Sequence, residues 1–330
     1  MADVLPLETA PIWVLAAYAI HPIADPAAEV QRHKEFLSSR DARARIYISH
    51  EGLNIQMSAS PEAAQDYMEW LRSDERFRDQ EFKIQGFMRH PFPRLTIKRK
   101  RQLVAVNRPV DFSKAGPHMS PAEWRRTLES GEDILLLDVR NHYEWEIGRF
   151  KGAVAPDCNE FRQFPEWIQQ LKQRVDPGSK KVLMCCTGGI RCEFFSAMMR
   201  EEGFEHVYQL QGGMLKYSQE CGDAEWEGSL FVFDDRLTVP MGYQAQPISV
   251  CHHCGSQVEK VLNCANMDCN RLFICCPDCV VSQQGCCCAE CRTSPRLRAL
   301  MQPDPYQPFP RLRTGDGHLR VPMVEAVASV

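Results

Sequence analysis

The first apolar run of the chain, Ile12 to Ile20, mixes Val, Ile and Tyr in a way that predicts a strand. Asp25-Pro26 follows, a cap residue before a proline at the first helical position, and opens an amphipathic helix to about Arg40. Two β-type segments, 45–49 and 53–58, flank His50-Glu-Gly52, and Ser60-Pro61 opens a second helix to about Arg72. Segments 81–88 and 94–104 return to strand character. The order βαββαβ with an added strand predicts a ferredoxin-like domain, helices on an antiparallel sheet, over residues 1–108.

After that the pattern changes. Ile134-Leu-Leu-Leu-Asp-Val-Arg140 is a buried strand ending in Asp-x-Arg. Lys181-Val-Leu-Met-Cys-Cys-Thr-Gly-Gly-Ile-Arg-Cys192 is a β-type run that ends in a cysteine, a glycine-rich turn and an arginine, with a helix beginning near Cys192. A strand that delivers a thiol into a loop of free N–H groups, closed by a guanidinium at a helix start, is built to hold a thiolate. Cys186 and Arg191 are therefore the candidate catalytic pair, while Cys185 continues the apolar strand and reads as core. Counted from Cys186 the spacing is C-x4-R, sized for a sulfur carried on the cysteine; counted from Cys185 it is C-x5-R, the wider cradle of cysteine phosphatases.

Eleven of the sixteen cysteines fall between Cys251 and Cys291. They are arranged as Cys251-x-x-Cys254, Cys264-x4-Cys269, Cys275-Cys276-x-x-Cys279 and Cys286-Cys287-Cys288-x-x-Cys291. Four short pairs are what two tetrahedral four-thiolate zinc sites require, with Cys251, Cys254, Cys264, Cys269, Cys276, Cys279, Cys288 and Cys291 as ligands. Cys275, Cys286 and Cys287 are then surplus, and the pairs that share a metal are left open, as is substitution by His252 or His253. The segment has so few large apolar residues that metal binding is expected to supply its folding free energy. The four regions are then 1–108, 109–225, a zinc module at 226–300 and a proline-rich tail at 301–330.

Sixteen cysteines without a signal peptide argue for a reducing compartment, the cytoplasm, and Ile12 to Ile20 is too short to span a bilayer. A net charge of −4 means that any nucleic-acid contact must come from a local patch. Arg89 to Arg101 is such a patch, six Lys and Arg without an acid and with Phe92 among them. Arg94, Lys98, Arg99, Lys100 and Arg101 are candidate phosphate contacts, with Phe92 offering a ring to a base. An edge strand kept soluble by its charges reads the same way. Alternation along a strand puts Lys98 and Lys100 on one face and Arg99 and Arg101 on the other.

The combination Asp138-x-Arg140, Glu144 to Ala153, the Cys186 loop and Leu210-Gln-Gly-Gly-Met214 resembles the rhodanese domain, an α/β fold with a parallel sheet, over about residues 118–222. The resemblance makes Cys186 the persulfide-forming cysteine and Asp138 and Arg140 structural members. The usual Ser or Thr after the loop arginine is Cys192 here, which leaves a resolving thiol open beside a core cysteine. Together with Ile48-Ser-His-Glu-Gly-Leu-Asn54, Phe92 to Lys98 and Cys264 to Phe273, the chain resembles the rhodanese-domain tRNA uridine hydroxylases over about residues 10–300. That resemblance implies tRNA as partner, O2 as co-substrate and conversion of wobble uridine 34 to 5-hydroxyuridine at Cys186. The electron donor is not identified: no G-x-G-x-x-G appears, and His142-Tyr-Glu144 makes a poor start for an iron site because Glu144 already belongs to the rhodanese pattern. A sulfur or electron donor protein is a conceivable second partner. The alternative is a thiosulfate or persulfide sulfurtransferase whose zinc module docks a protein acceptor.

Overall fold

The computed structural model describes residues 4–158, 161–242 and 246–300, with two paired strands, Leu312–Arg313 and Leu319–Arg320, beyond them. The rest of the expected proline-rich tail lies outside the described residues. Two compact units account for the chain: Met1–His142 with Phe150–Glu225, and Tyr143–Arg149 with Trp226–Val330.

Among the described residues the first unit begins with β1 (Val4–Leu5), β2 (Ile12–Ile20), α1 (Pro26–Leu37), β3 (Ala42–Ser49), β4 (Gly52–Ala59), α2 (Pro61–Arg72), β5 (Lys83–Phe87) and β6 (Leu95–Arg99). The sheet order is β1-β5-β2-β4-β3-β6. Its inner four strands, β5-β2-β4-β3, are antiparallel ferredoxin-like neighbours, and β6 adds to β3 in parallel. Asp25 caps α1 by accepting from the N–H groups of Ala27 and Ala28, and Ser60 caps α2 by accepting from Ala63, each before a proline. One sheet face, with Leu15, Ala17, Ile46, Ile55 and Met57, is buried against Leu37, Ala64, Tyr67 and Leu71 of the helices.

The same unit continues through β7 (His118–Met119), α3 (Pro121–Glu129), β8 (Ile134–Asp138), α4 (His142–Ile147), β9 (Gly148–Phe150), α5 (Phe164–Lys172), β10 (Lys181–Cys185), α6 (Ile190–Glu201), β11 (Val207–Leu210) and α7 (Gly213–Cys221), except that Tyr143–Arg149 belongs to the second unit. The four strands β7-β11-β10-β8 pair in parallel, the α/β arrangement expected for this region. Apolar runs in β8 and β10 follow from burial on both faces of such a sheet.

β6 ends at Arg99, short of the expected 104. The Leu103 N–H donates to the Glu51 carboxylate at 2.8 Å, drawing the chain off the sheet, and Val104 and Val106 pack with Val182, Met184 and Phe195. The second unit carries β12 (Trp226–Phe231), β13 (Thr238–Pro240), β14 (Val261–Asn263), β15 (Leu272–Ile274), α8 (Pro277–Ser282) and α9 (Ala289–Arg292). Its core there is mainly cysteine, with Leu262, Phe273 and Val280. No helix among the described residues is long and apolar enough to cross a membrane.

Candidate active site and metal sites

The loop 186–189 joins β10 to α6, and Gly189 caps the helix with φ of 103°, a conformation side chains rarely adopt. This turn aims N–H groups at Cys186: the Gly189 N–H donates to its Sγ at 3.1 Å, and Cys192 adds its backbone N–H and its thiol. Burial raises the Cys186 pKa, but the Cys192 thiol, the Arg191 charge and the N–H groups of Cys192 and Gly189 outweigh it and bring the pKa from 9.0 to about 6. Its neighbours behave oppositely. Cys185 donates to the Leu137 carbonyl at 3.4 Å and, buried beside Asp138, is held well above the ordinary thiol range. Cys192, as donor to Cys186, is pushed up by burial and by that bond. The sulfur whose pKa is lowered is therefore the one from which the C-x4-R spacing is counted.

Buried neighbours fix the loop. Arg140 forms a bidentate pair with Asp138, both side chains fully buried, and the Val139 N–H donates to the Cys185 carbonyl. The N–H groups of Met214 and Leu215 donate to the carbonyls of Cys186 and Thr187 at 3.0 Å. A side chain at Gly213 would lie 2.7 Å from the Cys186 carbonyl oxygen, which accounts for the second glycine of Leu210-Gln-Gly-Gly-Met214.

A cleft of about 570 Å³ opens beside the loop, lined by Gly188, Gly189 and Ile190 and by side chains of both domains of the first unit. Tyr18, His21 and Lys83 come from the N-terminal domain, and His118, Glu193 and Gln211 from the second. Sequence reasoning missed these residues and drew only phosphate contacts and the Phe92 ring from the N-terminal domain. The structure corrects this: Tyr18 packs so tightly on the loop that a side-chain carbon at Gly188 would lie 2.1 Å from its ring. The signal was Gly188 itself, whose need for a bare backbone does not say what approaches it. Lys83 Nζ is 5.6 Å from the Tyr18 ring centroid. Burial, with Lys216 nearby, lowers the Lys83 pKa, while Glu81 and Cys186 oppose the shift. A hydrogen bond from His118 to Glu193 at 2.9 Å raises the His118 pKa against its burial.

None of Arg94, Lys98, Arg99, Lys100 and Arg101 lines this cleft; all five are exposed along or beside β6. Phe92 does not offer a ring to a base: it is 2 % exposed, packed against Val14 and Phe87. Its apolar ring completes a small core under the turn after β5, a use that the surrounding charges concealed.

In the second unit Cys251, Cys254, Cys276 and Cys279 bring their sulfurs within 4.8 Å of one another, as do Cys264, Cys269, Cys287 and Cys291. The fourth thiol of the second group is Cys287, correcting the expected Cys288. Cys288 caps α9, and this turn directs the preceding residue inward, with its sulfur 3.8 Å from those of Cys269 and Cys291. The sulfurs of Cys254 and Cys276 are 3.7 Å apart. Tetrahedral zinc with bonds of about 2.3 Å requires sulfur separations of roughly 3.8 Å, so both groups fit a four-thiolate ion. His252 and His253 belong to neither group.

Residues 12–103 match the UPF0176 acylphosphatase like domain, 120–220 the rhodanese-like domain and 227–292 the rhodanase C-terminal family. A solved rhodanese-like domain from Anabaena sp. is 23 % identical, covering 34 % of this chain and 79 % of its own, with a TM-score of 0.29. The tRNA uridine(34) hydroxylase of Protochlamydia amoebophila is 48 % identical over 90 % of this chain and 93 % of its own. The Chlamydia caviae protein of the same name is 45 % identical over 91 % of each. With these identities over nearly its whole described length, the chain belongs to the tRNA uridine(34) hydroxylase family.

Proposed function

We propose that this protein hydroxylates uridine 34 of tRNA to 5-hydroxyuridine in an O2-dependent reaction centred on Cys186. The observation that carries the proposal is an anionic sulfur, held by Gly189, Cys192 and Arg191, beside a polar cleft large enough for a nucleotide, in a chain whose relatives are named for this reaction. Cys186 acts as the nucleophile and Arg191 stabilises its charge. Addition of the thiolate to C6 of uracil makes C5 electron-rich toward oxygen, and once C5 carries the hydroxyl, loss of its proton expels the thiolate from C6 and restores the C5–C6 double bond. One oxygen atom enters the base; reducing the other to water takes two electrons from a donor outside the chain. Transfer of a sulfane sulfur to Cys186 from a persulfide donor, which leaves as its thiol, extends the reach of this fully buried sulfur by about 2 Å. The exposed cations of the Arg94 to Arg101 segment contribute contacts to phosphates.

Both four-thiol groups hold structural zinc, Cys251, Cys254, Cys276 and Cys279 at one and Cys264, Cys269, Cys287 and Cys291 at the other. The ions supply folding free energy to a segment whose core is mainly sulfur. A tRNA substrate and a thiol-rich sequence support a cytoplasmic setting. A sulfurtransferase role, which the loop alone would permit, is not favoured by the names of the relatives. The test is nucleoside mass spectrometry of tRNA from cells lacking the gene. Loss of 5-hydroxyuridine at position 34, restored by the wild type and not by Cys186→Ser, is expected; unchanged nucleoside content would overturn the proposal.

A further inference from the structure

Apart from Tyr18 and Lys83, which line the cleft, and the cations of β6, the face of the N-terminal sheet turned away from its helices has no role in the chemistry described above. In register across it, Lys98 of β6 stands beside Tyr47 of β3, Tyr47 beside Asn54 of β4, and Asn54 beside Tyr18 of β2. The next row runs Thr96, Arg45, Gln56, Ala16 and Lys83. Directly paired residues point to the same side, so these rows share one face, opposite the Leu15, Ala17, Ile46 and Ile55 side that the helices cover. Arg43 continues the face along β3; it and Lys98 are exposed, and Arg45 and Tyr47 are half-buried. Lys100 Nζ, beyond the end of β6, sits 4.6 Å from the Tyr47 ring centroid, on the Lys98 side. Arg99 faces the other way, toward Asp25 at the start of α1, whose pKa is lowered chiefly by the N–H groups of Ala28 and Ala27 and further by the Arg99 charge.

We infer that this sheet face is the docking platform for the single-stranded anticodon loop of tRNA, and that its Lys98-Tyr47-Asn54-Tyr18 row leads the loop to the Cys186 cleft. The inference rests on the proposed function and adds a surface to it. Three observations converge. The face carries Arg43, Arg45, Lys83 and Lys98 with no Asp or Glu among its described residues, a charge pattern complementary to a phosphate backbone. It interleaves these cations with two tyrosines, and single-stranded RNA is held by stacking on aromatic rings over a positive surface. Asn54, paired in register with both tyrosines, adds a polar amide between them. Four adjacent strands separate Lys98 from Tyr18 by about 14 Å, a span of a few nucleotides. Tyr18 ends that row against Gly188 of the catalytic loop, so the platform is continuous with the cleft.

The test measures binding of the full-length protein to unmodified tRNA and to an anticodon stem-loop, by fluorescence anisotropy at several salt concentrations. Arg43→Ala and Lys98→Ala are each expected to flatten the salt slope by about 0.7, the value for one phosphate contact on a single strand. Tyr47→Leu is expected to raise Kd about tenfold. Lys34→Ala, exposed on the helical side, is the control and is expected to bind as wild type. Photo-crosslinking of wild-type protein to tRNA bearing 4-thiouridine at position 33 or 35, the neighbours of the reacting base, needs no variant to fold, and is expected to label peptides from β2 to β4. Wild-type affinity and slope in all three face variants, or labelling confined to the helical side, would overturn the inference while wild-type hydroxylation still stands. Wild-type protein that neither binds nor hydroxylates tRNA would instead overturn the proposed function.

Discussion

Replacing Arg191 with Gln tests whether the loop holds Cys186 as a thiolate. Lowering a thiol pKa from 9.0 to about 6 favours the anion by about 4 kcal/mol. At pH 7 roughly nine-tenths of the sulfur is then charged, against about one-hundredth for an ordinary thiol. Burial works against this, so Cys192, the Arg191 charge and the two backbone N–H groups together supply more than the net effect. Loss of one close opposite charge shifts a pKa by roughly 1–3 units, and the midpoint in Arg191→Gln should rise to about 7 or higher. The assay is alkylation by iodoacetamide from pH 5 to 10, followed on the Cys186 peptide by mass spectrometry so that the other cysteines do not interfere. The reaction should rise through about pH 6 in the wild type. The midpoint is the better readout than the plateau rate, because intrinsic nucleophilicity grows as pKa rises and partly offsets the loss of thiolate. Cys192→Ala, which removes the thiol donor and keeps the arginine, should move the midpoint in the same direction. A wild-type midpoint between 8 and 9, or one that neither substitution moves, would refute the electrostatic account of the loop.

Cys186→Ser should abolish hydroxylation of purified tRNA while Cys185→Ser retains most of it, since the Cys185 thiol points into the sheet toward Leu137; equal losses would refute the distinction. Metal analysis of protein prepared without chelator should find about two zinc ions per chain. Cys287→Ser should lose about one of them and Cys288→Ser none, and the reverse result would restore the spacing expected from sequence. Gly188→Ala should destabilise the protein by about 1–3 kcal/mol in denaturant unfolding and lower hydroxylation, because the new methyl displaces the Tyr18 ring; unchanged activity would show that Tyr18 does not shape the cleft.

The parts of this molecule legible in sequence are those where a local rule acts alone. Asp25-Pro26 and Ser60-Pro61 announce helix starts because the cap and the proline each satisfy the first turn without help from elsewhere. Cys186 was legible because its donors, Gly189, Arg191 and Cys192, lie within six residues of it. Phe92 was misjudged because its partners, Val14 and Phe87, are brought together by the sheet. The choice between Cys287 and Cys288 turns on one residue of helical phase before α9, which ligand spacing does not encode. The basic stripe fell between these cases. Its alternation places Lys98 with Tyr47 and leaves Arg99 toward Asp25, but the strand stops at Arg99 because Glu51, far away in sequence, captures the chain at Leu103.

The two glycines of the loop answer different demands, and the difference explains why the N-terminal domain belongs to the site. Gly189 is required by its own backbone, whose φ of 103° turns the N–H groups toward the sulfur. Gly188 has no such need; it is required by space, because the Tyr18 ring occupies the position of a side chain. The first demand is met within the second domain and makes a thiolate. The second is met only when β2 lies against the loop, and it gives the cleft its Tyr18 wall and brings Lys83 alongside. A thiolate alone suits many sulfur chemistries. On the proposed function, a lowered-pKa cysteine whose loop meets an aromatic ring, with a half-buried lysine lining the same cleft, suits a nucleotide presented by RNA, and the junction of the two domains is then where selectivity is expected to arise.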